Sequence, residues 1–203
     1  MFSMDVSVML IHGAWGDWSS WSKIIGSLAA QGIAVSAPPL PLTSFHDDMS
    51  APERALERVS GTVVLAGHAY AGAVIAPTGS NKVRALVYVA ALVPDEGETV
   101  ADVFYLPKPK LAPDHHGLIF LPHESFAAAF AQNAAAEQLA VLAAVQRPIS
   151  PACITVAVPR PIWRDRPSWF LVAKQDRMIV EDNQRSWPRA CRQFAPICEV
   201  KSI

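Results

Sequence analysis

The sequence of 203 residues has no excess of either charge: 17 lysines and arginines stand against 18 aspartates and glutamates. There is no basic footprint for nucleic acid, and no polybasic or lipidation signal for a membrane surface. Long apolar runs are also missing. The first, Val6 to Ile11, is too short for a membrane span or a signal-peptide core. A cytoplasmic protein with neither a nucleic-acid nor a membrane partner is expected. Cysteine is scarce. Cys153, Cys191 and Cys198 are odd in number and none has C-x-x-C spacing, so neither a disulfide framework nor a zinc site is indicated. Buried free thiols are expected. Asp114, His115, His116 and His123 are the one cluster with metal-ligand chemistry. Adjacent histidines in a proline-rich loop read as solvent-facing, so no metal and no cofactor is expected.

What is present is a globular composition, 51% apolar and 17% charged, with enough length for one domain and a large core, or one domain and a small lid. The 17 prolines crowd into connections, for example Pro38, Pro39 and Pro41, and predict rigid loops between short elements. Ser7–Ile11 is a continuous apolar run, as in a strand buried on both faces of a parallel sheet. Trp18, Trp21, Ile25 and Leu28 follow at helical spacing, capped by Asp17 or Ser19 and closed at Gly32. Ile33–Ala37 predicts a short strand. Ser50-Ala51-Pro52-Glu53 has capping-box spacing and predicts a short helix through Val59. Thr62–Ala66 reads as a buried strand, followed by a sharp turn and a helix of small residues. Val83–Ala91 is the next strand. This alternation is the signature of a parallel sheet covered on both faces.

From about Asp95 to Ile149 there is no clean strand. The stretch carries a Pro-rich loop (Leu106–Pro113) and an alanine-rich run (Ser125–Val145), read as one helix opened by Glu124 or Ser125 and ended by Pro148. It predicts a helical lid over residues 95–149 between core segments 1–94 and 150–203. Its Phe104, Leu106, Leu118, Ile119, Phe120, Phe126 and Phe130 suit packing on the core or a hydrophobic ligand. Ser168–Ala173 resumes the sheet, Glu181–Phe194 is weakly helical, and Ile197–Lys201 predicts a final edge strand. Such an edge can pair with a second copy, which makes a homodimer through it an expectation.

The turn after the central strand is Gly67-His68-Ala69-Tyr70-Ala71. It has the frame of G-x-S-x-G, the elbow that presents a nucleophilic serine between strand and helix. The serine is absent. With Leu10-Ile11-His12-Gly13-Ala14-Trp15, Val87–Gly97 and Arg166-Pro167-Ser168-Trp169-Phe170 through Asp176-Arg177-Met178-Ile179, the chain resembles the α/β-hydrolase superfamily. The nearest branch is the small esterases that include plant methylesterases, hydroxynitrile lyases and bacterial relatives.

The resemblance implies an α/β-hydrolase fold with a mostly parallel, doubly wound sheet, a helical lid insertion and a shortened C-terminal part. It places Ala69 at the nucleophile position and Asp176 at that of the triad acid. It makes Ala14 and Tyr70 the two backbone N–H donors of an oxyanion hole. His12, Trp15 and His68 fall in the substrate-binding set. His12 itself reads as part of the His-Gly turn, and the side chain of His68 is expected to point away from the elbow. His115, His116 and His123 in the lid could swing over the elbow.

The departures are chemical. Ala69 has no hydroxyl, and no histidine follows Asp176 in the 203 residues. Ala71 replaces the second glycine of the elbow, which adds one methyl. Loss of a serine-hydrolase nucleophile costs about 10⁶ in turnover, and loss of serine and histidine together costs little more, because they act as a unit. The expectation is an esterase-like scaffold with an incomplete Ser-His-Asp triad, whose partner is a small ester or acid. The alternative is a non-catalytic small-molecule binder.

Overall fold

The computed structural model describes residues 6–104 and 111–185, and the backbone of Ile197–Val200. Six strands form one sheet in the order β2-β1-β3-β4-β5-β6. They are β1 (Val6–Ile11), β2 (Ala34–Ser36), β3 (Thr62–His68), β4 (Val83–Val89), β5 (Ser168–Ala173) and β6 (Ile197–Val200). All pairings are parallel. The chain moves outward from β1 to β2, then returns past β1 to β3. The order therefore reverses between β1 and β3, and the loops leaving their carboxyl ends open a crevice there.

Helices cover both faces. A 3₁₀ turn, Trp18–Trp21, capped by the Asp17 carboxylate, which accepts from Ser19 N at 2.8 Å, leads into α1 (Ser22–Ala30). Next come α2 (Phe45–Glu57) and α3 (Ala71–Ile75), the latter buried along its whole length. α4 (Val100–Val103) opens on a capping box between Thr99 and Asp102. α5 (His123–Ser125), α6 (Ala136–Ala144) and α7 (Glu181–Gln184) complete the set. The main core joins β1, β3, β4 and β5 through Met9, Ile11, Leu65, Leu86, Tyr88 and Phe170, with the rings of Tyr88 and Phe170 stacked 4.6 Å apart.

Two local expectations fail. α2 does not begin at Ser50. Ser44 caps it, accepting from Asp47 N at 3.1 Å, and Asp47 and Asp48 occupy its first turn. Acidic residues there complement the positive end of the helix. Ser50 lies inside, its hydroxyl donating to the His46 carbonyl at 2.9 Å, and Pro52 is accommodated within the helix.

The alanine-rich run is not one helix. It is α5, a π-helical turn (Phe126–Phe130), a break, and α6. The wide turn brings the rings of Phe126 and Phe130 together, tilted, with centroids 4.5 Å apart. Gln132 then donates to the Gln175 carbonyl at 2.6 Å, drawing the chain toward the end of β5. A tertiary bond here overrides alanine's helix propensity.

The Glu181–Phe194 reading is met at its start by α7; residues 186–194 lie outside the described residues, as do Leu106, Pro107, Pro109 and Cys191. The side chain of Cys198 is likewise outside them, and Cys153 is a buried free thiol. Among the described residues no helix is long and apolar enough to cross a membrane.

Candidate active site at the carboxyl ends of the strands

The elbow follows β3 because Ala69 adopts φ +51, a conformation costly for a residue with a side chain. Two bonds hold it there. Ala69 N donates to the Val89 carbonyl at 3.1 Å, and the Ala69 carbonyl accepts from Leu92 N at 3.0 Å. The elbow is thus stitched to the end of β4. Gly67 explains the first glycine of the frame. A Cβ there would sit 2.7 Å from the Ala71 carbonyl oxygen, so a side chain would force the helix off the strand. Ala71 itself is fully buried without conflict.

Beside the elbow lies a cavity of about 660 Å³. Ala14 borders it from the loop after β1, Ala69 and Tyr70 from the elbow, and Asp176 from the loop after β5. All are at carboxyl ends of parallel strands, where open α/β sheets place ligand sites. The inserted segment roofs it with Phe104, Ile119, Phe130 and Leu142. The N–H groups of Ala14 and Tyr70 donate to no other protein group among the described residues.

Trp15 lines the cavity and is held at φ +60. His12 does not line it. Leu40 N donates to its Nε2 at 2.9 Å, which leaves the proton on Nδ1 to donate to the Gly13 carbonyl at 2.9 Å. Both nitrogens serve the backbone and burial lowers its pKa; His12, expected in the substrate-binding set, stands in the His-Gly turn outside the cavity lining.

His68 departs from expectation the other way. Its ring borders the cavity, edge-on to Trp21 with centroids 6.2 Å apart. Burial first, and then the neighbouring His12, push its pKa down to about 4. The imidazole is therefore neutral at pH 7.

Asp176 is held by its own turn. Oδ1 accepts from Met178 N at 2.7 Å and Ile179 N at 2.9 Å. Burial raises its pKa, and the two amides oppose that rise. The turn is clamped by a residue that sequence reasoning missed. Buried Gln184 accepts from Ala173 N at 2.8 Å and donates to the Ala173 and Ile179 carbonyls at 3.0 and 2.6 Å. Nothing in a weakly helical Glu-Asp-Asn-Gln stretch signals that bond set. Trp21, Lys23 and Ile24 also border the cavity unforeseen, because their helix reads as ordinary core packing.

His115, His116 and His123 are exposed and border no part of the cavity. His115 and His116 face each other at 3.8 Å. Of the apolar residues of the inserted segment, Phe126 is buried and does not line the cavity, and Phe120 is exposed. Among the described residues no group of three metal-ligating side chains stands together.

Solved structures share this fold. A pyrethroid hydrolase from Sphingobium faniae JZ-2 is 21% identical, with a TM-score of 0.79 over 98% of this chain and 88% of that one. An extracellular alpha/beta-hydrolase from a Paenibacillus species is 17% identical, with a TM-score of 0.79 over 97% and 90%. Tomato methylketone synthase I, in complex with β-ketoheptanoate, is 18% identical, with a TM-score of 0.78 over 99% and 90%. At such identities the likeness is one of fold. No curated protein matches the sequence. Residues 8–200 match the profile described as the Alpha/beta hydrolase family, and the chain belongs to that family.

Proposed function

We propose that this chain is a carboxylic-ester hydrolase scaffold that binds a small apolar ester, or the acid it yields, under a lid formed by residues 95–149. The observation that carries the reading is the convergence of Ala14, Ala69, Tyr70 and Asp176 on one largely apolar cavity. In this reading the Ala14 and Tyr70 N–H groups receive a carbonyl or carboxylate oxygen. Fixed donors in a water-poor site need no reorganisation to meet such charge. The lid's Phe104, Ile119 and Phe130 take the apolar part. The neighbours support the ligand class. One is a pyrethroid hydrolase, another holds β-ketoheptanoate, and the Paenibacillus protein shares functional homology with tobacco salicylic acid binding protein 2.

Ala69 favours a second reading, a binder without turnover. The nucleophile position carries a methyl group, so the ordinary serine route through an acyl-enzyme has no attacking oxygen. Assay of 4-nitrophenyl butanoate alongside calorimetry with butanoate separates the two. Hydrolysis above background that survives a serine-directed phosphonate supports turnover by another residue. Binding without hydrolysis supports the binder. Absence of both sinks the proposal.

A further inference from the structure

Both candidate carbonyl-binding amides are tied to the same short stretch of the inserted segment. Ala14 is followed by Trp15, whose indole N–H donates to the Ile119 carbonyl at 3.0 Å. The Trp15 carbonyl accepts from Arg147 N at 3.2 Å. Ile119 and Ile149 exchange backbone bonds of 2.9 and 3.0 Å, and the next residue, Ser150, donates to the Leu42 carbonyl at 2.9 Å. Leu42, at φ +60, turns its own N–H to Asp48 Oδ1 at 2.7 Å. The other oxygen, Oδ2, accepts from the Tyr70 hydroxyl at 2.7 Å. The circuit that begins beside one amide thus ends on the side chain of the residue that bears the other.

Asp48 is the junction. It is fully buried on α2, away from the cavity lining. A buried carboxylate is costly unless donors satisfy it. Here the donors are the Leu42 amide and the Tyr70 phenol, one to each oxygen. Leu42 belongs to the loop between β2 and α2, where its carbonyl receives Ser150 N as the insertion returns to the core, and Tyr70 belongs to the elbow. An apolar residue would fill this core position without any of those bonds. The carboxylate instead fixes a loop, the foot of the insertion and the elbow against one another.

We propose that Asp48 is a positioning residue that, through the Tyr70 hydroxyl, holds the Tyr70 backbone N–H in register with that of Ala14. The inference rests on the reading of this amide pair as the site for a carbonyl oxygen. It adds that the pair's alignment is set from the core, through the same hydrogen-bonded chain that anchors the lid.

The test uses methyl hexanoate and hexyl methyl ether, probes of similar size that differ in the carbonyl. Binding of each is measured by calorimetry on the full chain as wild type, Asp48→Asn, Tyr70→Phe and the double variant. Asp48→Asn weakens the ester roughly fivefold, the fold-change of one ordinary net hydrogen bond, and leaves the ether unchanged. Tyr70→Phe does the same, and the double variant loses no more than either alone. Equal weakening of both probes makes Asp48 a packing residue and overturns the inference. So does unchanged ester affinity in either single variant. Should Asp48→Asn not fold, Tyr70→Phe, which removes a hydroxyl only, decides alone. A wild-type chain with no preference for the ester over the ether overturns the reading of the amide pair, and the inference with it.

Discussion

The Cβ of Ala69 lies 3.0 Å from the point where a side chain on Gly13 would begin. The loop after β1 and the elbow after β3 are therefore in contact at the floor of the cavity, and the space between them is filled by the backbone of one and a methyl of the other. The carbonyl of His68, 3.1 Å from the same point, cannot yield without moving β3.

Gly13→Ala should for this reason cost about 1–3 kcal/mol of stability, the range for overpacking a filled site. Gly26→Ala, in α1 with nothing within 4 Å of its new methyl, should gain about 0.5–1 kcal/mol from reduced backbone freedom. Urea unfolding of the two variants beside wild type measures both. Equal midpoints for the two would contradict the close approach.

Ala69→Ser restores the hydroxyl on a backbone already held at φ +51. With no histidine among residues 177–203 and a neutral, half-buried His68 beside the elbow, turnover of 4-nitrophenyl butanoate by this chain should stay at background. The triad members act as a unit, and one without the rest recovers little of a roughly 10⁶-fold effect. A burst of nitrophenolate in the single variant would show that another base serves the position.

The pH dependence follows from His68. Its folded pKa of about 4 lies below the ordinary 6.5. Between those values the unfolded chain binds the extra proton, so this group's contribution is present above pH 6.5 and is lost as pH falls toward 4. His12, also lowered, acts in the same sense. Asp48 and Asp176, both raised by burial, act in the opposite sense, since folding favours their protonated forms. His68→Gln should remove up to about 1.4 kcal/mol per pH unit from the slope in that window. Parallel stability curves for wild type and variant would refute the assignment.

Gln184→Met keeps the length of the side chain but abandons the Ala173 N–H and the Ala173 and Ile179 carbonyls. Buried groups left without partners cost about 1–3 kcal/mol each at most, and the loss should fall on the turn that carries Asp176. Hydrogen exchange at Met178 and Ile179, whose amides bond Asp176, should speed up more than exchange at Leu65 in β3. Uniform change at all three sites would mean a global effect alone.

Much of the fold was legible because its signals are local. Continuous apolar runs at Ser7–Ile11, Thr62–Ala66, Val83–Ala91 and Ser168–Ala173 mark strands buried on both faces, and all became strands of the sheet. Gly67 and the small residues after it mark the elbow, because only a residue without a side chain allows Ala71 so close. Asp176 follows β5 and borders the cavity, where the resemblance places it. The final strand also falls where expected, as β6 beside β5.

What tertiary structure alone decided depends on partners distant in sequence. Ser44 rather than Ser50 starts α2 because Asp48 must point at Leu42 and Tyr70. The alanine-rich run breaks because Gln132 reaches Gln175, 43 residues away. His68 borders the cavity while His12 does not, although both sit at strand ends, because His12 is taken up by Leu40 and Gly13. Periodicity reports which face of an element is buried. It carries no record of which hydrogen-bond donor will stand opposite a buried acceptor, and in this protein those pairings shape the site.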